Sequence, residues 1–392
     1  MTAPRGLHEL PAPPDELAEL SQRLGERISA EIDANGPMPF DRYMQLALYE
    51  PGLGYYVNGL HKFGAAGDFV TAPEQGRLFA TALAGQIDEV TEALDADWTL
   101  LEIGAGSGVL VRDLLGALAN PPARYLILDT SAALREVQAE TLAGLPDELA
   151  GRVAWIDTPP EQGFEGVIVA NEVLDALPVA RFEATADGPA ELAVAHQPPS
   201  FGWARTAPRE RLERACRVLF EALPAPLAEG YRGEICLDLS GWLATVTAPL
   251  KRGAAFLIDY GYPRDEAYHP DRSDGSLVCH YRHRAHFDPF VWPGLTDLSA
   301  FVDFTAVAEA ADVCGLSVAG YTTQAGFLLA LGAHEAVGRA DDETERLRLS
   351  AEIKRLTLPG EMGEKFKVMA LTRALERPLT GFELFDHRHR LG

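Results

Sequence analysis

Four short apolar runs between positions 98 and 171 constrain the fold more than any other feature of the chain. They lie at 98–103, 125–128, 153–156 and 167–170, and a helical pattern follows each of the first two. Each run is largely apolar rather than alternating, as in strands that are covered on both faces. Strands that alternate with helices favour a parallel sheet. The chain is therefore predicted to be an α/β protein built on a mostly parallel sheet.

The rest of the 392 residues is predicted to surround this sheet. Before it, Thr71 and Glu74 have the spacing of a capping box, which predicts a helix that continues to about Leu94. After the fourth strand several strand-like runs and one helix indicate an insertion, and a long polar loop farther on is predicted to be a lid or binding surface. The predicted regions are a flexible arm (1–15), an N-terminal helical segment (16–97), the core (98–177 and 251–373) with a lid loop (262–300), an inserted α+β substrate region (178–250) and a C-terminal tail (374–392).

The balance of charge excludes one broad class of function. Asp and Glu number 58 against 34 Lys and Arg, which gives a net charge of −24. A general nucleic-acid binder needs a surplus of cations to neutralise phosphates, so no nucleic-acid partner is expected. No apolar run is long enough to span a bilayer, and the acidic, proline-bearing N-terminus does not resemble a signal or mitochondrial leader. We therefore expect no membrane insertion and a cytoplasmic location.

The glycine-rich turn after the first strand is the most informative motif. It has the pattern G-x-G-x-G with an acid two residues before the first glycine, and comprises Glu102, Gly104, Ala105, Gly106 and Gly108. A dinucleotide fingerprint would need a further glycine at position 109, where the chain has valine. The pattern is typical of S-adenosylmethionine-dependent methyltransferases, in which Glu102 would attract the cationic methionine end of the cofactor. The alternative is an ordinary turn or helix cap, since both use glycine freely.

Two aspartates follow the next two strands and are predicted to contact the same cofactor. Asp129 ends the second strand, and an ionised carboxylate there can accept hydrogen bonds from both ribose hydroxyls. Asp157 lies just past the third strand and is predicted to reach the adenine edge. Asp129 can instead be an ordinary strand-end acid or a helix cap, and Asp157 can have no role in binding the cofactor.

Polar residues after the fourth strand are predicted to border the reacting centre. In an open α/β sheet the carboxyl ends of the strands form the binding crevice, which places Asn171 and Glu172 beside it. The Glu172 carboxylate can hold a guanidinium group by paired hydrogen bonds. Asn171 and Asp175 can instead act only as helix caps. We predict Asn171, Glu172 and Asp175 as the catalytic residues.

The motif His280-x-x-His283-x-x-His286 suggests a metal site, because three imidazoles lie within seven residues. Arg282 and Arg284 lie between the histidines, and the segment lacks a helical pattern, so the rings need not converge. We expect no metal site there.

Together with the glycine loop, several separated motifs resemble the MidA-like family of S-adenosylmethionine-dependent methyltransferases. The resemblance covers about residues 28–373 and is far more specific than the glycine loop alone. The motifs are YEPGLGYY at 49–56, GDFVTAPE at 67–74, NEVLDALP at 171–178, IDYG at 258–261, DLSAFVDF at 297–304, TQAGFL at 323–328 and MGEKFKVM at 362–369. The chain departs from the family pattern at Ala105, where proline is frequent, and at Phe301, where the family has histidine.

The resemblance implies a class I, Rossmann-like methyltransferase fold with a mixed seven-stranded sheet and S-adenosyl-L-methionine as cofactor. It also places Gly67 and Asp68 close to the cofactor. Mitochondrial members are arginine methyltransferases that serve complex I assembly. The implied function is therefore a protein arginine N-methyltransferase whose substrate is a protein with an accessible arginine, such as a respiratory-complex subunit.

Three questions stay open at the level of sequence. A closed, apolar acceptor pocket would favour a small-molecule N- or O-methyltransferase over a protein methyltransferase. A non-catalytic assembly chaperone that keeps the fold is a second alternative. Helical segments near both ends leave a homodimer as a further expectation.

Overall fold

A computed structural model describes residues 10–59, 71–198 and 200–392, and the statements below concern these residues. The helices are α1 (Asp15–Asn35), α2 (Phe40–Tyr49), α3 (Leu78–Thr91), α4 (Val109–Ala117), α5 (Ala132–Leu142), α6 (Asp147–Ala150), α7 (Glu210–Ala222), α8 (Leu239–Thr247), α9 (Arg264–Ala267), α10 (Phe304–Val313), α11 (Gln324–Ala330) and α12 (Glu343–Thr357). The strands are β1 (Thr99–Ile103), β2 (Arg124–Leu128), β3 (Val153–Ile156), β4 (Phe164–Asn171), β5 (Ala180–Thr185), β6 (Gly188–Gln197), β7 (Ser200–Thr206), β8 (Arg232–Ile235), β9 (Leu250–Tyr262), β10 (Val278–Tyr281), β11 (Arg284–His286), β12 (Asp297–Ser299), β13 (Val302–Asp303), β14 (Ser317–Thr323) and β15 (Phe366–Arg373).

The main sheet confirms the predicted mixed, seven-stranded class. Its order is β14-β15-β9-β4-β1-β2-β3, with the short β13 beside β9. Strand β1 runs parallel to both β2 and β4, whereas β15 is antiparallel to β9 and to β14. The chain moves outward from β1 to β2 and β3, and then returns to β4 on the other side of β1. This reversal opens a crevice at the carboxyl ends of β1 and β4, where ligands bind in sheets of this kind.

Helices cover both faces of the main sheet, which is why its strands are continuously apolar. Alternate side chains of β1 and β4 enter opposite cores: Leu100 and Val167 pack with α3 and α4, and Leu101 and Ile168 pack with α8 and α10. All four side chains are fully buried. Within the described ranges no helix has the length and apolarity needed to cross a bilayer.

The predicted capping box at Thr71 does not form. The Thr71 side chain makes no capping hydrogen bond, and a short 3-10 turn at Ala72–Gln75 precedes α3 instead. The Glu74 carboxylate accepts a hydrogen bond from the Ser107 hydroxyl of the glycine loop. The N-terminus of α3 is capped from a distance, since the Glu352 carboxylate accepts a hydrogen bond of 2.6 Å from the Leu78 N–H. The segment is therefore held by tertiary contacts rather than by its own cap.

The inserted region forms a second, antiparallel sheet in the order β7-β6-β5-β8, covered by α7. Helices α1 and α2 pack beside it, and Met38 pairs with Val194 of β6. Helix α8 also lies within the predicted insertion, but it packs against α10 on the main sheet. The division into a core and an inserted substrate region stays a prediction, as does the flexible arm, most of which lies outside the described residues.

The segment predicted as a lid loop is more regular than its composition indicates. Residues 262–300 contain α9 and a small antiparallel sheet in the order β11-β10-β12. Its strands have three or four residues each and carry several polar side chains, so they lack the apolar pattern that identifies longer strands.

We expect Gly253→Ala to destabilise the sheet. Gly253 of β9 has φ +133°, and a Cβ added there would lie 1.8 Å from the Gly166 carbonyl oxygen of β4. Backbone strain and overpacking together predict a loss of roughly 2–6 kcal/mol in the free energy of unfolding, measured by urea denaturation. Gly241→Ala in α8 is the matched control, because a Cβ there meets nothing within 4 Å and is expected to add about 0.5–1 kcal/mol. Equal stability of the two variants would contradict the close approach of β9 and β4.

Candidate active site

A cavity of about 1170 Å³ lies at the carboxyl ends of β1, β2 and β4. Eight of the predicted site residues line it: Glu102, Gly104, Ala105, Gly106, Asp129, Asn171, Glu172 and Asp175. Gly108 lies at the start of α4, behind the loop. Gly67 and Asp68 fall outside the described residues. The topological switch point of the sheet thus brings together residues that are up to 73 positions apart in the sequence.

The glycine loop takes a conformation that other residues rarely adopt. Gly104, Gly106 and Gly108 have φ values of +65°, +54° and +80°. A Cβ at Gly104 would lie 3.2 Å from a methyl group of Val173, and one at Gly108 would lie 3.2 Å from the Cα of Gln138. Glycine is therefore required both for the turn and for the close approach of its neighbours.

Asp129 is held in place by a buried glutamine that the sequence patterns do not identify. One Asp129 carboxylate oxygen accepts from the Ser131 N–H at 2.9 Å, and the other accepts from the Gln138 side-chain amide at 2.9 Å. The same amide nitrogen donates to the Gly106 carbonyl at 3.1 Å, and the Trp155 indole N–H donates to the Gln138 oxygen at 2.8 Å. Gln138 is fully buried. It therefore fixes the glycine loop and the aspartate relative to each other.

Glu102 lies in β1 beneath the loop and is 2% exposed. Burial raises the pKa of its carboxyl group to about 7, although a hydrogen bond from the Tyr125 hydroxyl opposes the rise. A cation placed in the cavity would favour the ionised form of this carboxyl group.

Asp157 does not reach the cavity. Its side chain is 76% exposed and forms an ion pair with Arg135 at 2.7 Å. The Arg135 guanidinium also donates to the main-chain carbonyls of Asp129 and Ile156. The aspartate thus lies on the outer side of the β2 and β3 ends, and the structure gives it a surface role instead of the predicted contact.

The turn after β4 holds Glu172 in a strained conformation. Its φ is +54°, a value that costs of order 1–3 kcal/mol for a residue with a side chain and that is concentrated at functional sites. The buried Asp259 of β9 accepts hydrogen bonds from the backbone N–H groups of residues 173, 174 and 175 on one oxygen, at 2.8–3.2 Å. Its other oxygen accepts from the Tyr260 N–H at 2.8 Å. Asp259 therefore positions the turn, a role that its sequence motif does not indicate.

Burial and like charge determine the electrostatics of this turn. Burial raises the pKa of Glu172 to about 8, and the negative charge of Asp175 adds to the effect. Burial also raises the pKa of Asp175 to about 6, against a hydrogen bond from the Tyr260 hydroxyl. Within the described residues, Oδ1 of Asn171 and Oδ1 of Asp175 are buried without a hydrogen-bond partner. Buried acceptors are normally satisfied by protein, water or a bound ligand, so these two atoms are available to a group that donates hydrogen bonds.

Two tyrosines missing from the sequence prediction complete this part of the cavity. The rings of Tyr49 and Tyr56 stack at 5.6 Å with an interplanar angle of 24°. The Tyr56 hydroxyl donates to Asp297 at 2.9 Å, and the Tyr49 hydroxyl donates to the Ala176 carbonyl at 2.9 Å. Aromatic faces and carboxylates both attract cations. This part of the cavity therefore suits a positively charged group that donates hydrogen bonds.

The histidine motif forms a hairpin in which the rings diverge. His286 pairs with Cys279 and is buried, whereas His280 belongs to the other face of the hairpin and lines the cavity. His283 is exposed at the turn. Among the residues that the structure describes, no cluster has the composition of a metal site.

Comparisons with known proteins agree with this geometry. A family model for S-adenosyl-L-methionine-dependent methyltransferases matches residues 82–322. Curated relatives include the mitochondrial protein arginine methyltransferase NDUFAF7 of Danio rerio, 27% identical over 90% of this chain and 88% of that protein, and that of Homo sapiens, 29% identical over 87% and 81%. A solved structure from Burkholderia thailandensis, bound to S-adenosyl-homocysteine, is 42% identical with a TM-score of 0.91 and covers 97% of this chain and 100% of that chain.

These relatives also correct one expectation. The prediction of a cytoplasmic location is wrong, because the curated relatives are named as mitochondrial proteins.

We expect Glu172→Gln to stabilise the protein increasingly as the pH rises. The pKa of Glu172 is about 8 in the folded state, against an ordinary value of 4.5. Its contribution to the free energy of unfolding is therefore fully present below pH 4.5 and is lost as the pH rises through 8. Glutamine does not ionise and keeps the same backbone strain. Relative to wild type, the free energy of unfolding of the variant is expected to rise by roughly 2–4 kcal/mol between pH 4.5 and pH 8. Denaturation at several pH values measures this rise. Glu140→Gln, at an exposed position, is the control, and parallel pH profiles for both variants would contradict the burial of Glu172.

Proposed function

The chain belongs to the MidA-like family of S-adenosyl-L-methionine-dependent methyltransferases, and we propose that it methylates arginine side chains of a protein substrate. The observation that carries the proposal is the strained Glu172 turn, with its raised pKa and its two unpartnered acceptors. A guanidinium group offers five N–H donors and a permanent positive charge. The donors match the unpartnered acceptor atoms of the turn, and the positive charge matches its carboxyl groups. The names of the curated relatives support the same acceptor.

The residues around the glycine loop fit the cofactor, which supplies an electrophilic methyl group when bound. The positive φ values of Gly104 and Gly106 leave a loop without side chains at the carboxyl end of β1. Asp129 is proposed to accept the ribose hydroxyls, and Glu102 to lie near the methionine end. Gly67 and Asp68 are also proposed to lie near the methionine end of the cofactor. The glycine loop that contacts the cofactor is proposed to include Ala105 and Gly108. Asp157 is left out of this set because its side chain is exposed and paired with Arg135.

The acceptor arginine is proposed to bind against Glu172, Asn171 and Asp175. Oδ1 of Asn171 and Oδ1 of Asp175 accept its N–H groups, and the ionised Glu172 carboxylate balances its charge. The nitrogen that gains a methyl group must lose a proton, and Glu172 is the carboxylate proposed to receive it. Methyl transfer depends largely on the orientation of the two reactants, which the Asp259-held turn provides for the acceptor side.

Several features favour a protein over a small molecule as the acceptor. The cavity continues from the glycine loop past Glu172 to the exposed Phe287, so it is an open cleft rather than a closed apolar pocket. The curated relatives are named as protein arginine methyltransferases, which favours the same acceptor. By resemblance to the complex I assembly factors, we extend the proposal to a respiratory-complex subunit as substrate. The homodimer stays a prediction that rests on the helical segments near both ends of the chain.

The cofactor assignment predicts a loss of affinity in two variants. Asp129→Asn removes a charge-assisted hydrogen bond, so its affinity for S-adenosylhomocysteine should fall about tenfold to a hundredfold. Gly104→Val should abolish binding, because a side chain there meets Val173 and the backbone has φ +65°. Calorimetric titration measures both. Asp157→Asn is the matched control and should bind like wild type, and an Asp129→Asn variant with wild-type affinity would overturn the assigned ribose contact.

The arginine assignment predicts a pH profile that depends on Glu172. Because the pKa of free Glu172 is about 8, kcat/KM for an arginine peptide should rise with pH and level off above that value. Glu172→Gln should lower kcat/KM at least a hundredfold, as roughly expected when a group that acts on the reacting atoms is removed, and should abolish the rise. Transfer of labelled methyl groups measures both effects, with a lysine peptide as the control. A cofactor-bound wild type that methylates no arginine peptide or lysate protein would refute the proposal.

A further inference from the structure

The GDFVTAPE motif ends in a short turn that lies beside both the glycine loop and the Glu172 turn. It is the 3-10 segment Ala72–Gln75, which precedes α3, and we call it the bridging turn. Three of its four residues line the cavity, as do Ser107 of the glycine loop and Glu172. Its position against the proposed sites of both reactants is a feature that the proposed function leaves without a role.

The bridging turn contacts the glycine loop at one residue and Glu172 at another. The Glu74 carboxylate accepts a hydrogen bond from the Ser107 hydroxyl. Oε1 of Glu172 accepts a hydrogen bond of 3.4 Å from the Ala72 N–H and one of 3.2 Å from the Asn171 side-chain amide. Both of these hydrogen bonds favour the ionised carboxylate, so they oppose the effect of burial on the pKa of Glu172. The bridging turn therefore joins the glycine loop to the proposed proton acceptor.

The backbone of the bridging turn is short and restrained. Pro73 lies between the two contacting residues, and its ring removes one of the backbone rotations that separate them. The Glu74 N–H donates to the Thr71 carbonyl at 3.0 Å. On the far side of the turn, the Arg355 guanidinium of α12 donates to the Gln75 side chain at 3.1 Å. With so little freedom between them, the contact to the glycine loop and the contact to Glu172 are made or lost together.

We propose that Glu74 is a positioning residue that makes cofactor binding and arginine binding cooperative. The proposal rests on the arginine methyltransferase function above and adds a link between its two ligand sites. A cofactor at the glycine loop orders the bridging turn through the Ser107–Glu74 contact, and the ordered turn holds the Ala72 N–H against Glu172. The arginine then binds a carboxylate that is already held, so less conformational entropy is lost when it binds. By linkage, each ligand raises the affinity of the other by the same factor.

Binding measurements test this cooperativity without turnover. S-adenosylhomocysteine should tighten the binding of a fluorescent arginine peptide about tenfold, as measured by anisotropy and as is usual for coupled sites. The enhancement should nearly disappear in Glu74→Ala and in Ser107→Ala. The double variant should resemble each single variant, because all three lack the same contact. Glu74→Gln keeps an acceptor oxygen and should restore most of the enhancement.

Thr141→Ala is the matched control, because the Thr141 hydroxyl contacts the same loop residue without involving Glu74. It donates to the Ser107 carbonyl at 2.7 Å. The variant can bind S-adenosylhomocysteine more weakly, but the enhancement of peptide binding should remain. An equal loss of enhancement in Thr141→Ala and Ser107→Ala, or full enhancement in Glu74→Ala, would overturn the role of Glu74.

Hydrogen exchange separates this inference from the proposed function, because it needs no arginine. S-adenosylhomocysteine should slow the exchange of the Ala72 N–H about tenfold in wild type and in Thr141→Ala, and far less in Glu74→Ala. No slowing in wild type would overturn the link.

The two measurements fail in different ways. If the arginine peptide binds wild type equally with and without S-adenosylhomocysteine, Glu74 does not couple the sites, and the arginine methyltransferase function stands. If no arginine peptide binds the wild type loaded with S-adenosylhomocysteine, the proposed function fails. The exchange of the Ala72 N–H alone then decides whether the bridging turn responds to the cofactor.

Discussion

The buried carboxylate of Asp259 is the contact on which the acceptor side of the cleft depends. It accepts four backbone N–H groups, three from the turn after β4 and one from its own strand. Because β9 is the parallel neighbour of β4, these hydrogen bonds tie the turn to the centre of the sheet. They add to the hydrogen bond that the Glu172 N–H donates to the Ile258 carbonyl, and together these contacts offset the cost of the positive φ of Glu172.

The turn held in this way gathers buried carboxyl groups that resist ionisation in the empty protein. Burial raises the pKa of both Glu172 and Asp175, and buried acceptor atoms on Asn171 and Asp175 lack partners among the described residues. Each of these features lowers the stability of the empty protein. A bound cation that donates hydrogen bonds reverses all of them at once. The protein is therefore expected to be less stable with the site empty than with its ligand bound. Functional sites commonly lower the stability of a protein in this way.

Sequence patterns predict those parts of the site that follow from strand ends. The strands β1, β2 and β4 are recognisable because they are continuously apolar, and their carboxyl ends place the glycine loop, Asp129 and Glu172 in one crevice. Gln138 escapes such reasoning, because a buried glutamine interrupts the apolar face of α5 and its partners are 9 to 32 positions away. Asp157 fails for the opposite reason: it follows a strand, but Arg135 holds it at the surface. Gly67 and Asp68 stay predictions.

The two groups that hold the cleft together act on different sides of the same switch point. Gln138 links the glycine loop to Asp129 on the β1 and β2 side, whereas Asp259 links the Glu172 turn to β9 on the β4 side. Since β1 and β4 are adjacent and paired in register from Thr99 to Ile103, the distance between the two halves is set by backbone hydrogen bonds rather than by loops. A reaction that depends on the alignment of two bound molecules requires this rigidity. The β10–β11 hairpin and the inserted sheet belong to separate sheets, so they take no part in the strand pairing that sets this distance.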